Sequence, residues 1–269
     1  MKIKLLTLIF LLLGFKASCL KPVKNYINHP DSLGLNYESL SIKSSENIVL
    51  NGWKLIPSTE KDLKSTIILA YGDGGNMSYW LDYAKEMVLS GHTMVLFDYR
   101  GFGESSAFEM NLNQLYYEEF TEDLEAVINW SKDKIENKTL SIWALSMGTI
   151  SATYALQNTT IDFLIAEGFV YDPFEIKRKL YELKGKEIIL PKCASDYNSF
   201  IHTIKCPILL FSGTLDQITT VEEVNKIKLL NDKNQLLTFE GNHLEGFQKL
   251  TENSLGDEYV KSITSFISE

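Results

Sequence analysis

A chain of 269 residues, 45% hydrophobic and 23% charged, can bury one sizeable core and is too ordinary in composition to be disordered or fibrous. Its formal net charge of −9 argues against nucleic acid and anionic membrane surfaces as partners, because both repel an acidic surface. No fixed-period repeat or low-complexity tract breaks the chain, so one domain is expected rather than a solenoid.

The first nineteen residues read differently from the rest. Lys2 and Lys4 precede a nearly unbroken apolar run, Leu5 to Phe15, and Ala17-Ser18-Cys19 follow with small side chains. This is the order of an export signal. The run is shorter than the roughly 20 apolar residues a membrane span needs. Residues 1–19 are therefore expected to direct export, leaving the chain secreted, periplasmic or lipid-anchored. The small-small-Cys ending resembles the lipobox of bacterial lipoproteins, in which Cys19 would become the lipidated first residue and the membrane anchor. Lys16 stands where that pattern wants leucine, so plain cleavage nearby is a comparable reading. Loss of Lys2, Lys4 and Lys16 takes the formal charge from −9 to −12. In an exported chain, Cys193 and Cys206 permit either a disulfide or two separate buried thiols. Asn76, Asn129, Asn137 and Asn158 begin N-x-S/T triplets that matter only in a glycosylating host. No Cys/His cluster has metal-ligand spacing. No cofactor is expected, and the oligomeric state is open.

Residues 20–38 look like an irregular lead-in, and 39–269 like the folded domain. Leu40-Ser41-Ile42 and Ile48 to Leu55, with Gly52 between, suggest antiparallel strands at a sheet edge. Ile67-Ile68-Leu69 is a short continuous apolar run, as in strands covered on both faces. A turn, Tyr71-Gly72-Asp73-Gly74-Gly75, follows it, and then Trp80, Tyr83, Ala84, Met87 and Val88 at helical spacing. Strands are expected at Thr93–Phe97, Thr139–Trp143, Phe163–Ile165, Pro207–Phe211 and Gln235–Phe239. Helices are expected around Phe120–Ile128, Met147–Leu156, Val224–Leu230 and Tyr259–Ile267. Alternating strands and helices imply a mostly parallel sheet with helices on both faces. All parallel strands then end on one edge, where ligand sites of open α/β sheets lie.

Three strand ends supply reactive side chains. Ala144-Leu145-Ser146-Met147-Gly148 leads from a strand straight into a helix and is G-x-S-x-G with alanine first. A nucleophile elbow needs that strand-turn-helix and small residues beside the serine. Asp216 follows the strand Pro207–Phe211, and His243 follows the last strand. The order Ser146, Asp216, His243 suits a triad: imidazole removes the serine proton and the carboxylate fixes the imidazole. In this arrangement the N–H groups of Asp73 and Met147 form the oxyanion hole. His29, His92 and His202 do not follow a strand and read as surface or packing residues.

Phe97-Asp98-Tyr99-Arg100-Gly101-Phe102-Gly103-Glu104-Ser105 closely resembles the "DYRGFG-x-S" loop of the α/β-hydrolase superfamily. Within it the chain is most similar to serine aminopeptidase-like hydrolases and their esterase relatives. Glu46 to Trp53 resembles their "DG-x-x-L-x-GW" segment, and the likeness covers roughly residues 40–268. It implies the α/β-hydrolase fold, with a mostly parallel sheet of the eight-stranded type and a short lid at about 169–206. Phe169, Tyr171, Phe174, Leu180 and Tyr181 make that segment apolar and aromatic, fit to wall a small acyl pocket. Tyr71 stands where most members have histidine before the oxyanion glycine, and Ala144 replaces the first elbow glycine. Arg100 is expected to hold its loop in place. The implied activity is that of a serine hydrolase acting on an acyl ester or thioester, a small-molecule substrate, through an acyl-enzyme. The alternatives are an aminopeptidase-like serine peptidase and a non-catalytic binding protein on the same fold.

Overall fold

The computed structural model describes residues 18–268. Of the segment read as an export signal, all but Ser18 and Cys19 lies outside the described residues. A two-residue strand, β1 (Lys21–Pro22), comes first. The edge hairpin β2 (Asn36–Ser45) and β3 (Ile48–Ile56) is antiparallel, as its alternation predicts. Then follow β4 (Ser65–Ala70), β5 (Gly74–Gly75), α1 (Leu81–Leu89), β6 (His92–Phe97) and α2 (Tyr117–Lys134). The middle of the chain gives β7 (Thr139–Leu145), α3 (Met147–Ala155), β8 (Phe163–Glu167), α4 (Pro173–Lys184) and α5 (Tyr197–Ile201). The last part gives β9 (Ile208–Gly213), α6 (Val221–Lys228), β10 (Gln235–Phe239), α7 (Gly246–Lys249) and α8 (Asp257–Phe266).

Eight strands form one sheet in the order β10-β9-β8-β7-β4-β6-β3-β2, with β1 and β5 paired apart from it. The strands from β10 to β6 are parallel, and β3 and β2 complete the sheet antiparallel. All six residues of β4 and of β6 are buried, as the short apolar run Ile67-Ile68-Leu69 leads one to expect for β4. From β4 the chain steps to β6 and then crosses back over β4 to β7. Right-handed crossovers therefore put α1 and α2 on opposite faces. That reversal opens a crevice at the ends of β4 and β7, the place where such sheets bind ligands. Glu118 and Glu119 in the first turn of α2, and Lys132 and Lys134 in its last, suit the helix dipole.

Three readings left open by the sequence are narrowed. The lead-in is ordered. Lys21 and Val23 donate backbone hydrogen bonds to Asp73 and Gly75, and Leu20 is fully buried. Cys193 and Cys206 are free thiols. Cys193 lies in the short turn Lys192–Asp196, where its backbone carbonyl accepts the Tyr154 hydroxyl, whereas Cys206 lines a groove with Leu156 to Ile161. Asn76 is wholly buried, and its amide donates to the carbonyls of Val23 and Asn25, so the folded chain offers no glycan acceptor there.

Candidate active site

Ser146 sits between β7 and α3 at φ +50° and ψ −116°, a backbone region few non-glycine residues adopt. The sharp turn lifts its hydroxyl out at the sheet edge and brings α3 close to β4. A Cβ on Gly148 would lie 1.9 Å from the carbonyl oxygen of Ala70, so the last elbow position has room only for glycine. Ala144, fully buried in β7, is accommodated at the first position.

The structure brings Ser146, His243 and Asp216 into one hydrogen-bonded line. His243 Nε2 lies 2.9 Å from Ser146 Oγ, and His243 Nδ1 lies 2.8 Å from Asp216 Oδ2. Burial opposes the charge on Asp216. Its contacts with His243 and Thr219 outweigh that and hold its carboxyl below the usual carboxylate range. Oδ1 accepts the N–H groups of Ile218 and Thr219, and Oδ2 accepts the Thr219 hydroxyl at 2.6 Å. Thr219 Oγ1 also lies 3.2 Å from His243 Nδ1. This threonine escaped the sequence reading; its only signal is its place three residues after Asp216. His92, by contrast, is buried against Thr264 and its imidazole is pushed down to about 4 by burial, as fits a packing residue. Among the described residues, no three His, Cys, Asp or Glu side chains converge as a metal site would.

Met147 opens α3, so its N–H is among those a helix leaves without an internal partner. Asp73 lies in the turn after β4. That turn packs on the elbow: a Cβ on Gly72 would sit 3.6 Å from Ser146 Cβ. The bracing of this turn differs from what a histidine at position 71 would give. Asp98, fully buried, accepts the Tyr71 hydroxyl at 3.1 Å, the Tyr26 hydroxyl at 2.7 Å and the Met77 N–H at 2.7 Å. Burial pushes the Asp98 carboxyl up, and these three donors oppose that. Arg100 is held away from the serine by Asp123, through Nε at 2.9 Å and Nη2 at 2.7 Å, and by Glu122.

Beside Ser146 lies a cavity of about 50 Å³. Its wall is aliphatic: Leu115, Ile150, Val170, Ile176, Leu180, Ile188 and Leu190, with Tyr117. This corrects the aromatic wall expected from the sequence. Phe169 is fully buried outside the wall, while Phe174 and Tyr181 are more than half exposed on the outer side of α4. Asp73 and Lys186 meet at the cavity, 3.1 Å apart, and Cys19 closes it. Leu115 N–H and Ile189 N–H stitch the two wall segments together by bonds to Ile189 and Asn113.

The strand order and the edge on which these residues meet are those of the α/β-hydrolase fold. A family model described as serine aminopeptidase, S33, matches residues 61–170. The YfhR protein of Escherichia coli O157:H7 is 23% identical over 239 residues, 86% of this chain and 80% of its own length. Among solved structures, the Pyrococcus furiosus esterase Pf2001 superposes with a TM-score of 0.73 at 19% identity, covering 93% of this chain and 98% of the other. XC6422 from Xanthomonas campestris, described as an a/b serine hydrolase without lid, gives 0.62 at 16% identity, covering 87% and 94%. The chain thus has the α/β-hydrolase fold; residues 61–170 are similar in sequence to the serine aminopeptidase model, and the fold is similar to that of solved esterases.

Proposed function

We propose that this protein is an acyl hydrolase that cleaves small carboxylic esters or thioesters through an acyl-enzyme on Ser146. The observation that carries the reading is the continuous hydrogen-bonded line from Ser146 through His243 to Asp216. His243 takes the serine proton as Oγ attacks the carbonyl and returns it to the leaving group. Asp216 orients the imidazole. The N–H groups of Asp73 and Met147 receive the oxyanion, each worth about 3 kcal/mol. Water then releases the acyl group by the same proton path. A binding protein has no use for such a chain at a strained serine.

The cavity favours a short acyl group. In a cavity of about 50 Å³, where one water takes roughly 10–15 Å³, only a few heavy atoms fit. Its walls also favour an ester over a peptide. An aminopeptidase must bind a free ammonium, and among the described residues the one acidic side chain lining the cavity, Asp73, is already paired with Lys186. We take α4 and the loop 185–191 as the cover of the cavity.

Against p-nitrophenyl esters, kcat/KM should rise from acetate to about butyrate, by roughly fourfold per methylene, and then fall. Ile176→Ala or Leu180→Ala should move the optimum to longer chains. Ser146→Ala should lose turnover and labelling by a fluorophosphonate; equal labelling of the variant would sink the assignment. Turnover of aminoacyl amides but of no ester would favour the peptidase.

Export is proposed from the order of the leader. Cys19 is 2% exposed and lines the cavity, so a lipid on its sulfur would compete for the same space. The intact mass of the mature chain should show no acyl group; added acyl mass would overturn this.

A further inference from the structure

Glu167 takes no part in the chemistry above, yet it contacts the backbone of each segment that carries it. It ends β8, opposite Leu145 of β7 and Phe211 of β9. Its backbone carbonyl accepts the Ser146 N–H at 3.0 Å. Its side chain, almost wholly buried, runs under the loop that carries His243, where Oε1 accepts the Gly246 N–H at 2.7 Å. The hydroxyl of Tyr259, on α8, which accepts the Trp143 indole N–H at 3.0 Å, faces the same carboxylate. The next residue, Gly168, at φ +66°, lies so near the imidazole that a Cβ there would be 2.7 Å from His243 Cε1. The titratable groups facing Glu167 are Tyr83 on α1, Tyr259 on α8, Asp216 after β9 and His243. Of these, only His243 can become a cation.

A neutral acceptor would hold Gly246 as well, without the cost of burying a carboxylate. A carboxylate adds a negative field at the imidazole. We propose that Glu167 is a positioning residue for His243, fixing its loop through Gly246 and favouring the imidazolium that forms as Ser146 attacks. This rests on the serine-hydrolase reading. Burial pushes the Glu167 carboxyl up to about 7, so its charge is present above neutral pH, where the base must work.

Glu167→Gln keeps an acceptor for Gly246 and removes the charge. With a p-nitrophenyl ester at about pH 8, its kcat should fall about tenfold. The acidic limb of kcat/KM should move to lower pH, because the imidazole loses a neighbouring negative charge. Glu167→Asp keeps the charge but shortens the reach to Gly246; its rate should fall while the limb stays in place. A Gln variant with the wild-type limb, whether or not its rate falls, would reduce Glu167 to a packing residue. Should the Gln variant not fold, an Asp variant whose limb leaves the wild-type position would do the same. If the wild-type protein neither takes the fluorophosphonate nor turns over any ester, it is the serine-hydrolase reading that fails.

Discussion

Replacing His243 by alanine is expected to lower kcat about a million-fold, and Asp216→Asn about ten-thousand-fold. In the proposed mechanism His243 supplies both proton transfers, and among the described residues no other base hydrogen-bonds Ser146 Oγ. There Asp216 only orients the imidazole and stabilises its charge, and Thr219, 3.2 Å from Nδ1, keeps part of that orientation. The three residues act as one unit, so the double variant should be no more than a few-fold worse than His243→Ala. Single-turnover kinetics with an activated ester decide this. Losses that multiply would mean that one of the two roles is misassigned.

The second large effect is expected at Asp98. Asp98→Ala strands the Tyr71 hydroxyl and the Met77 N–H, both buried, and frees the Tyr26 hydroxyl. Each buried donor left without a partner costs about 1–3 kcal/mol, which gives roughly 3–5 kcal/mol of lost stability. The turn carrying Asp73 starts at Tyr71, so its N–H should drift from the proposed oxyanion position, and kcat should fall about a hundredfold. Urea unfolding and esterase assays on Asp98→Ala and Asp98→Asn test this. A fully active Asp98→Ala would show that the turn holds its shape without the brace. Tyr71→Phe, which removes one donor and leaves the carboxylate its other two, should cost less than Asp98→Ala in both assays.

Much of the architecture was legible because it rests on periodicity. Strands buried on both faces read as unbroken runs, as at Ile67 to Leu69, and the elbow betrays itself by small residues flanking a serine. The same reasoning located Ser146, Asp216, His243 and the turn at Asp73, since each follows a strand that composition reveals. What escaped has no period. The pairing of Lys21–Pro22 with Gly74–Gly75 spans two residues, too few to leave a pattern, so the lead-in looked irregular. Glu167 reads as a charge at the end of an apolar run, and nothing local shows that Gly246, 79 residues on, will lie over it. Aromatic residues at 169, 174 and 181 suggested a pocket wall. Which way they point depends on how α4 meets the sheet, and its outer side carries two of them to solvent.

The buried carboxyl of Glu167 also makes the folding equilibrium a proton-binding reaction. Its value is raised from 4.5 to about 7 in the folded chain, so the folded state holds a proton that the unfolded state has released throughout that interval. The stabilisation from that bound proton is complete below pH 4.5 and is lost as pH rises through about 7. Above this, the native state carries a buried charge that costs about 3 kcal/mol. On this account the Glu167 carboxyl takes up close to one proton as the chain folds near pH 6, while buried His92, its imidazole pushed down to about 4, releases most of one. A charge kept for the imidazole is thus a charge the fold would be more stable without in alkaline solution.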